Sequence, residues 1–206
     1  GDGFDDIIAG SYGYDTLRGR AYIYYGGNIM NNVPNVTLTG VSSQDFFGLT
    51  VSSAGDVNGD GFDDVIVGAY GYSTMGRAYV YFGGSSMNNV ADVTMTGASA
   101  GDNFGISVSA AGDYNGDGYS DVIVGAYGHN TDQGRAYLYL GSASVNNISD
   151  LTFTGLAVGN YFGYSVSNAG DVNGDGYEDL IVGAQRSNTE EGEAYIYLGG
   201  SILNNN

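Results

Sequence analysis

The chain has 206 residues and a formal net charge of −18, with 37 glycines, 19 tyrosines, one proline and no cysteine or tryptophan. Its only basic residues besides one histidine are five arginines, so its own field repels nucleic acid and anionic membranes, and no apolar run approaches the roughly 20 residues that cross a bilayer. Glycine at this density disfavours helix, while the Val, Ile, Tyr and Thr between the glycines favour pleated strands, so the expected class is all-β.

Residues 1–46 open on "GDGFDD" and continue as a first, partial unit of strands B, C and D. Residues 47–103 hold a complete unit, with strand A at 47–56, B at 64–71, C at 76–84 and D at 92–97. Residues 104–161 repeat it, and residues 162–206 supply a last, partial unit of A, B and C. The Asp of each "GDG" (Asp2, Asp60, Asp117, Asp175) recurs at separations of 58, 57 and 58 residues. A fixed period of this length decides architecture before any local pattern does.

In strand C, "RAYVYFG", both faces carry apolar or aromatic side chains, as in a sheet packed between neighbouring sheets. Such a unit cannot bury two faces alone, so the copies stack, and the expected fold is a β-propeller with blades of four antiparallel strands. The partial terminal units leave strand edges that invite pairing with a second chain or with further residues of the same one. Self-association through these blades, or a different protein partner, is therefore expected.

Between strands A and B the second copy reads "AGDVNGDGFDD". Asp56, Asn58 and Asp60 alternate, Gly61 follows, and Asp64 comes four residues after Asp60. Hard divalent cations take six to eight oxygens, and this loop offers side chains at positions 1, 3, 5 and 9 plus the Phe62 carbonyl at 7, with Gly at 6 for the sharp turn. The third copy offers Asp113, Asn115, Asp117, the Tyr119 carbonyl and Asp121; the fourth offers Asp171, Asn173, Asp175, the Tyr177 carbonyl and Asp179. The first retains Asp2, the Phe4 carbonyl and Asp6.

An EF-hand would need flanking helices and a bidentate Glu at position 12, where apolar strand B lies here (Val67, Val124, Val182). Oxygen-only ligands argue against zinc and copper, and a flexible, carboxylate-rich cage favours Ca²⁺ over Mg²⁺, giving three full sites and one partial one. The bland alternative is a solvated turn, since Asp, Asn and Gly are ordinary turn residues. Three copies with one ligand spacing weigh against it, as does the placing of 14 of the 23 acids in these four loops.

The pattern "FG.SVS.AGD.NGDG..D.IVGA......GRAY.Y.G" resembles the FG-GAP repeat of the integrin α-subunit head. Phe47-Gly48, Phe104-Gly105 and Phe162-Gly163 match the FG element, and the GAP element reads GSY at 10–12, GAY at 68–70 and 125–127, and GAQ at 183–185. The resemblance implies a propeller with calcium loops in the A–B turns on one face and the B–C and D–A connections on the other, where integrins bind ligands. Family members are commonly seven-bladed, whereas this chain carries about 3.5 repeats.

Tyr12, Tyr14, Tyr70, Tyr72, Tyr127 and His129 fall in the B–C connections. They stack on a sugar ring or anchor a protein partner, or else pack between blades. His129, the single histidine, permits no His-based triad and is expected at the surface. Arg20, Arg77 and Arg135 recur at the start of strand C, where a repeated structural ion pair is the expectation.

No unrepeated cluster of acid, base and nucleophile breaks the repeat symmetry, so the expected role is non-catalytic: a secreted or cell-surface, calcium-stabilised module for adhesion or assembly. The alternatives are a subunit of an extracellular filament and a lectin or glycan-active propeller, since fold does not fix function.

Overall fold

The structure is a computed structural model and describes residues 3–29, 32–186 and 191–203. Among the described residues fourteen strands form four antiparallel sheets. The first holds β1 (Ile7–Ser11), β2 (Arg20–Tyr24) and β3 (Val36–Thr39). The second holds β4 (Val51–Gly55), β5 (Asp64–Ala69), β6 (Arg77–Tyr81) and β7 (Val93–Thr96). The third holds β8 (Ser107–Gly112), β9 (Asp121–Ala126), β10 (Arg135–Tyr139) and β11 (Leu151–Thr154). The fourth holds β12 (Phe162–Gly170), β13 (Asp179–Ala184) and β14 (Glu193–Tyr197). Each sheet is ordered as its strands are in sequence, and among the described residues the first and fourth sheets hold three strands each and the second and third hold four.

The blades follow one another in an open arc. Their A strands, β4, β8 and β12, contact each other at the inner edge. Strand alternation sorts every blade into two apolar faces. In the second blade Ile66, Ala78 and Val80 join Val122, Val124, Tyr137 and Tyr139 of the third in one buried cluster. Val67, Tyr79 and Tyr81 on the opposite face join Ala21, Ile23, Val36 and Leu38 of the first. The third and fourth blades meet through Ile123, Ala136 and Leu138 against Leu180 and Val182. The core therefore lies between sheets, and no blade owns a complete one.

In the second and third blades the FG element is a tight turn ahead of strand A, whereas in the fourth blade strand A begins at Phe162 itself. Phe46 has φ 54 and Gly48 φ 77, and regular pairing begins only at Val51. The Phe47 ring is buried against Tyr79 and Tyr81 of its own blade, with centroids 5.6 and 6.5 Å away. Phe104 repeats this with Tyr137 and Tyr139, and Phe162 with Tyr195 and Tyr197.

At the same end of the blades, the B–C connections include runs of left-handed residues: Asp15, Thr16 and Leu17 (φ 47, 57 and 65), and Asn130, Thr131 and Asp132 (φ 50, 58 and 62). β-Branched Thr rarely tolerates this region, so these turns are held by their surroundings. The next D–A connection supplies the hold: Gln44 N donates to Thr16 O, Phe46 N to Leu17 O, and Tyr161 N to Asp132 O.

Candidate metal centre

The three complete A–B loops adopt one hydrogen-bonded form. In the second blade Asp56 Oδ1 accepts from the N–H of Gly59 (2.7 Å) and Asp60 (3.1 Å), and Oδ2 accepts from Gly61 N (2.8 Å). Asn58 Oδ1 accepts from Asp60 N at 2.8 Å, and Asp60 Oδ1 from Phe62 N at 3.0 Å. Asn58 Nδ2 donates to Asp60 Oδ2 at 3.0 Å.

Asp113, Asn115 and Asp117 repeat every one of these bonds in the third loop. Asp171, Asn173 and Asp175 repeat them in the fourth. The side chains thus shape the loop by replacing missing backbone partners, as Asx turns do.

Position 9 has a second task. Asp64 is fully buried; its Oδ2 accepts from Val57 N (2.9 Å) and its Oδ1 from Gly83 N (2.7 Å) in the C–D turn. Asp121 does the same with Tyr114 and Gly141, and Asp179 with Val172 and Gly199. In the first blade Asp6, which is exposed, keeps the C–D bond through Gly26 N at 2.8 Å. Phe4 is 44% exposed there, and Asp2 lies outside the described residues.

Burial pushes the Asp64 carboxyl up to about 6 and the Asp121 carboxyl up to about 7, against the pull of their backbone hydrogen bonds. The neighbouring charges of Asp60 and Asp56, and of Asp117 and Asp113, push the same way. Asp171 moves in the opposite direction, held below the ordinary carboxylate range chiefly by the Gly176 N–H.

The donor set fits a hard cation. Each loop gathers three carboxylates and one amide oxygen, and an ionised carboxylate accepts at about four lone-pair sites, more than the loop bonds use. Among the described residues the ion pairs are Arg18–Asp15 and His129–Asp102, and neither touches a loop acid. Among those residues no three carboxylate, imidazole or thiolate groups already converge on one ion-sized centre. A hard cation would be held by the side-chain oxygens of Asp56, Asn58, Asp60 and Asp64 and the Phe62 carbonyl, and by their counterparts in the third and fourth loops. A bound Ca²⁺ would supply positive charge and no reactive group.

Several side chains outside the loops do work that the repeat pattern conceals. Asp92 Oδ2 accepts from Phe82 N (2.7 Å), Asp150 Oδ2 from Leu140 N (2.8 Å) and Asn35 Oδ1 from Tyr25 N (2.8 Å), fixing the C–D connections. Buried Asp45 and Asp102 accept from Ser42 N and Ser99 N in the D–A connections. Their one-per-repeat spacing was the available signal.

Among the described residues the recurrent arginines Arg20, Arg77 and Arg135 form no ion pair, contrary to expectation. Arg20 lies over the Tyr14 ring and Arg77 over the Tyr72 ring, each 3.6 Å from the centroid. His129, which replaces those tyrosines, is tucked in and not at the surface, its Nδ1 3.1 Å from Asp102 Oδ1 and its side chain 14% exposed. The remaining aromatic residues form two clusters: Tyr12, Phe46 and Tyr70, and Tyr127, Tyr161 and Tyr164.

Comparison with known proteins follows the same repeats. The FG-GAP repeat family matches residues 47–84, 104–139 and 162–197. Integrin alpha-5 of Xenopus laevis is 28% identical over 98% of the chain, and integrin alpha pat-2 of Caenorhabditis elegans is 34% identical over 98% of it. Integrin alpha-IIb of Mus musculus is 34% identical over 71% of the chain. The chain spans a fifth or less of the length of these curated relatives, at 20%, 18% and 16%. The three matched segments, which open on Phe47, Phe104 and Phe162 and together cover more than half of the residues, place the chain in the FG-GAP repeat family.

Proposed function

We propose that the chain is an extracellular, calcium-stabilised propeller module that binds proteins in adhesion or assembly and catalyses nothing. The observation that carries this reading is the loop that recurs three times with the same hydrogen bonds and with acids that, among the described residues, no cationic side chain pairs with. Such a loop costs stability through carboxylate repulsion and repays it only when an ion is present. The ligands are Asp56, Asn58, Asp60, the Phe62 carbonyl and Asp64, with their counterparts in the third and fourth blades; Asp2, Phe4 and Asp6 form a partial first site.

Likeness to integrin alpha chains supports the adhesive role and the extracellular setting. The partner is a protein, another copy of the chain included. In this reading the ions hold the blade hairpins while the connections at the opposite end present a rigid surface. The non-catalytic part rests on the repetition itself, since every acidic cluster has a counterpart one period away.

The test is thermal unfolding and calorimetric titration with Ca²⁺, followed by attachment of chain-coated beads to extracellular-matrix surfaces. The expected result is saturable binding, a melting temperature raised by Ca²⁺ and lowered by EGTA, and attachment that EGTA reverses. A melt indifferent to EGTA overturns the calcium assignment, and beads that stay free on every surface overturn the adhesive one.

A second reading, a carbohydrate-binding face, draws on the two aromatic clusters, in which Tyr12 is 47% and Tyr164 43% exposed. Sugars that protect these tyrosines from iodination would favour it.

A further inference from the structure

The sequence contains three Asn–Gly dipeptides, Asn58–Gly59, Asn115–Gly116 and Asn173–Gly174, and each occupies positions 3 and 4 of a complete A–B loop. An asparagine amide is open to attack by the backbone nitrogen that follows it, and least hindered when that nitrogen belongs to glycine, which has no Cβ. Gly59 N gives up its proton to solvent base and bonds to Cγ of Asn58; the Cγ–Nδ2 bond breaks, ammonia leaves and a succinimide ring closes. Water then opens the ring at one of two bonds. Breaking the Cγ–N bond leaves aspartate, and breaking the original peptide C–N bond leaves isoaspartate, whose main chain runs through Cβ and Cγ. Water enters and ammonia departs, with no change of oxidation state.

The folded loop blocks this path at both reacting groups. Gly59 N–H is donated to Asp56 Oδ1 at 2.7 Å. The Asn58 amide is tied at both ends to Asp60, with Oδ1 accepting from its N–H (2.8 Å) and Nδ2 donating to its Oδ2 (3.0 Å). Asp113 and Asp117 hold Gly116 and Asn115 in the same way, and Asp171 and Asp175 hold Gly174 and Asn173. The next blade adds a second block. The Tyr119 ring lies so close to Gly59 that an added Cβ would sit 2.5 Å from it, and the Tyr177 ring lies equally close to Gly116. Ser120 N, donating to Asp56 O at 3.0 Å, fixes Tyr119 against the loop. Attack on Cγ therefore requires local opening, which the mutual repulsion of the loop carboxylates favours.

We propose that Asn58, Asn115 and Asn173 are sites of spontaneous deamidation that react only from the opened loop, and that the Tyr119 and Tyr177 rings of the following blades guard the first two. The modification retires a loop. Isoaspartate lengthens the main chain between positions 3 and 4 and displaces the position 3 oxygen, while aspartate turns the Asn58 donor to Asp60 Oδ2 into a like charge. One part rests on the calcium reading: an ion held by the closed loop lowers the open population, so time spent without calcium is recorded irreversibly, loop by loop.

The test is incubation of the folded chain at mildly alkaline pH in Ca²⁺ and in EGTA, read by peptide mass spectrometry and an isoaspartate-specific methylation assay, with calorimetry for ion binding. In EGTA the three Asn–Gly sites should react well ahead of the other asparagines, and Ca²⁺ at about ten times its Kd should slow them about tenfold. In EGTA, Tyr119→Ala should speed Asn58 more than Asn115, and Tyr177→Ala should do the reverse. General unfolding would speed both sites alike in both variants.

Asn–Gly sites that react no faster than the other asparagines overturn the proposal, and variants without the crossed response overturn the guard. If calorimetry finds Ca²⁺ bound while the rates match in Ca²⁺ and EGTA, the gating by calcium fails and the calcium reading stands. If calorimetry finds no binding while the crossed response holds, the calcium reading fails and the guarded sites stand.

Discussion

Gly68 lies beneath the carbonyl oxygen of Gly105 in the next blade, and a Cβ on Gly68 would sit 2.1 Å from that oxygen and 2.4 Å from Thr50 Oγ1. Gly10 meets Gly48 and Gly125 meets Gly163 in the same way, each at 1.9 Å. The glycine of the FG element and the penultimate residue of strand B, also a glycine, are thus two sides of one contact between adjacent blades. Replacing Gly68 with Ala should push these blades apart and cost about 1–3 kcal/mol, the usual range for overpacking. Gly13→Ala, at φ −76 with open space around it, should leave the urea midpoint near that of the parent. Equal midpoints for the two variants would show that the blades are not held at this distance.

Phe104 is the second element of the same joint. Its ring is 1% exposed and meets Tyr137 at 5.4 Å and Tyr139 at 6.4 Å. Phe104→Ala should cost about 3–5 kcal/mol and Phe104→Leu distinctly less. The near-ultraviolet circular dichroism of the tyrosines should weaken in step, because both rings lose their neighbour. A Phe104→Ala variant with unchanged stability would mean that the FG element is a turn device only.

The strands, their order and the two apolar faces were legible because a two-residue period and a 58-residue period reinforce each other. The A–B loops were legible for a similar reason: alternating Asp and Asn fix both the turn and the candidate ligand set. Arg77 was misread because a guanidinium's partner depends on a connection whose path local sequence does not set; Tyr72 lies across it only because the B–C turn runs left-handed near Ser73, at φ 47. His129 was misread likewise, since Asp102 reaches it from the D–A connection 27 residues away. The buried role of Asp64 was hidden for a third reason, as a ligand and a structural acceptor look alike in one dimension.

Burial of tyrosine hydroxyls predicts an alkaline limit to stability. Desolvation pushes Tyr114 up to about 12, assisted by the Asp179 charge, and also pushes Tyr81 and Tyr139 upward. The Tyr114 hydroxyl donates to Leu198 O at 2.8 Å, a bond that the phenolate cannot make. With the folded-state pKa above the unfolded value of roughly 10, this stabilisation is whole below about 10 and is lost as pH rises through about 12. Tyrosinate absorbance should therefore rise in two phases, exposed rings first and the buried set together with unfolding. A single smooth titration near the ordinary value would contradict the burial.

Asp117 and Asp121 belong to one loop, yet they should fail differently. Asp117 is exposed and its hydrogen bonds stay within the loop, to Tyr119 N and Asn115 Nδ2. Asp121 is fully buried and joins the loop to the C–D turn through Tyr114 N and Gly141 N. Asp121→Ala strands those two buried N–H groups, at about 1–3 kcal/mol each, whether or not an ion is present. In EGTA, then, Asp117→Ala should melt close to the parent and Asp121→Ala well below it. In Ca²⁺ both should lose one of the three strong ions in a calorimetric titration, and both should gain less stability from calcium than the parent. If Asp117→Ala binds calcium with the parent's stoichiometry, position 5 is no ligand. If the parent itself melts alike in calcium and EGTA while Asp121→Ala stays weak, the loops are structural turns.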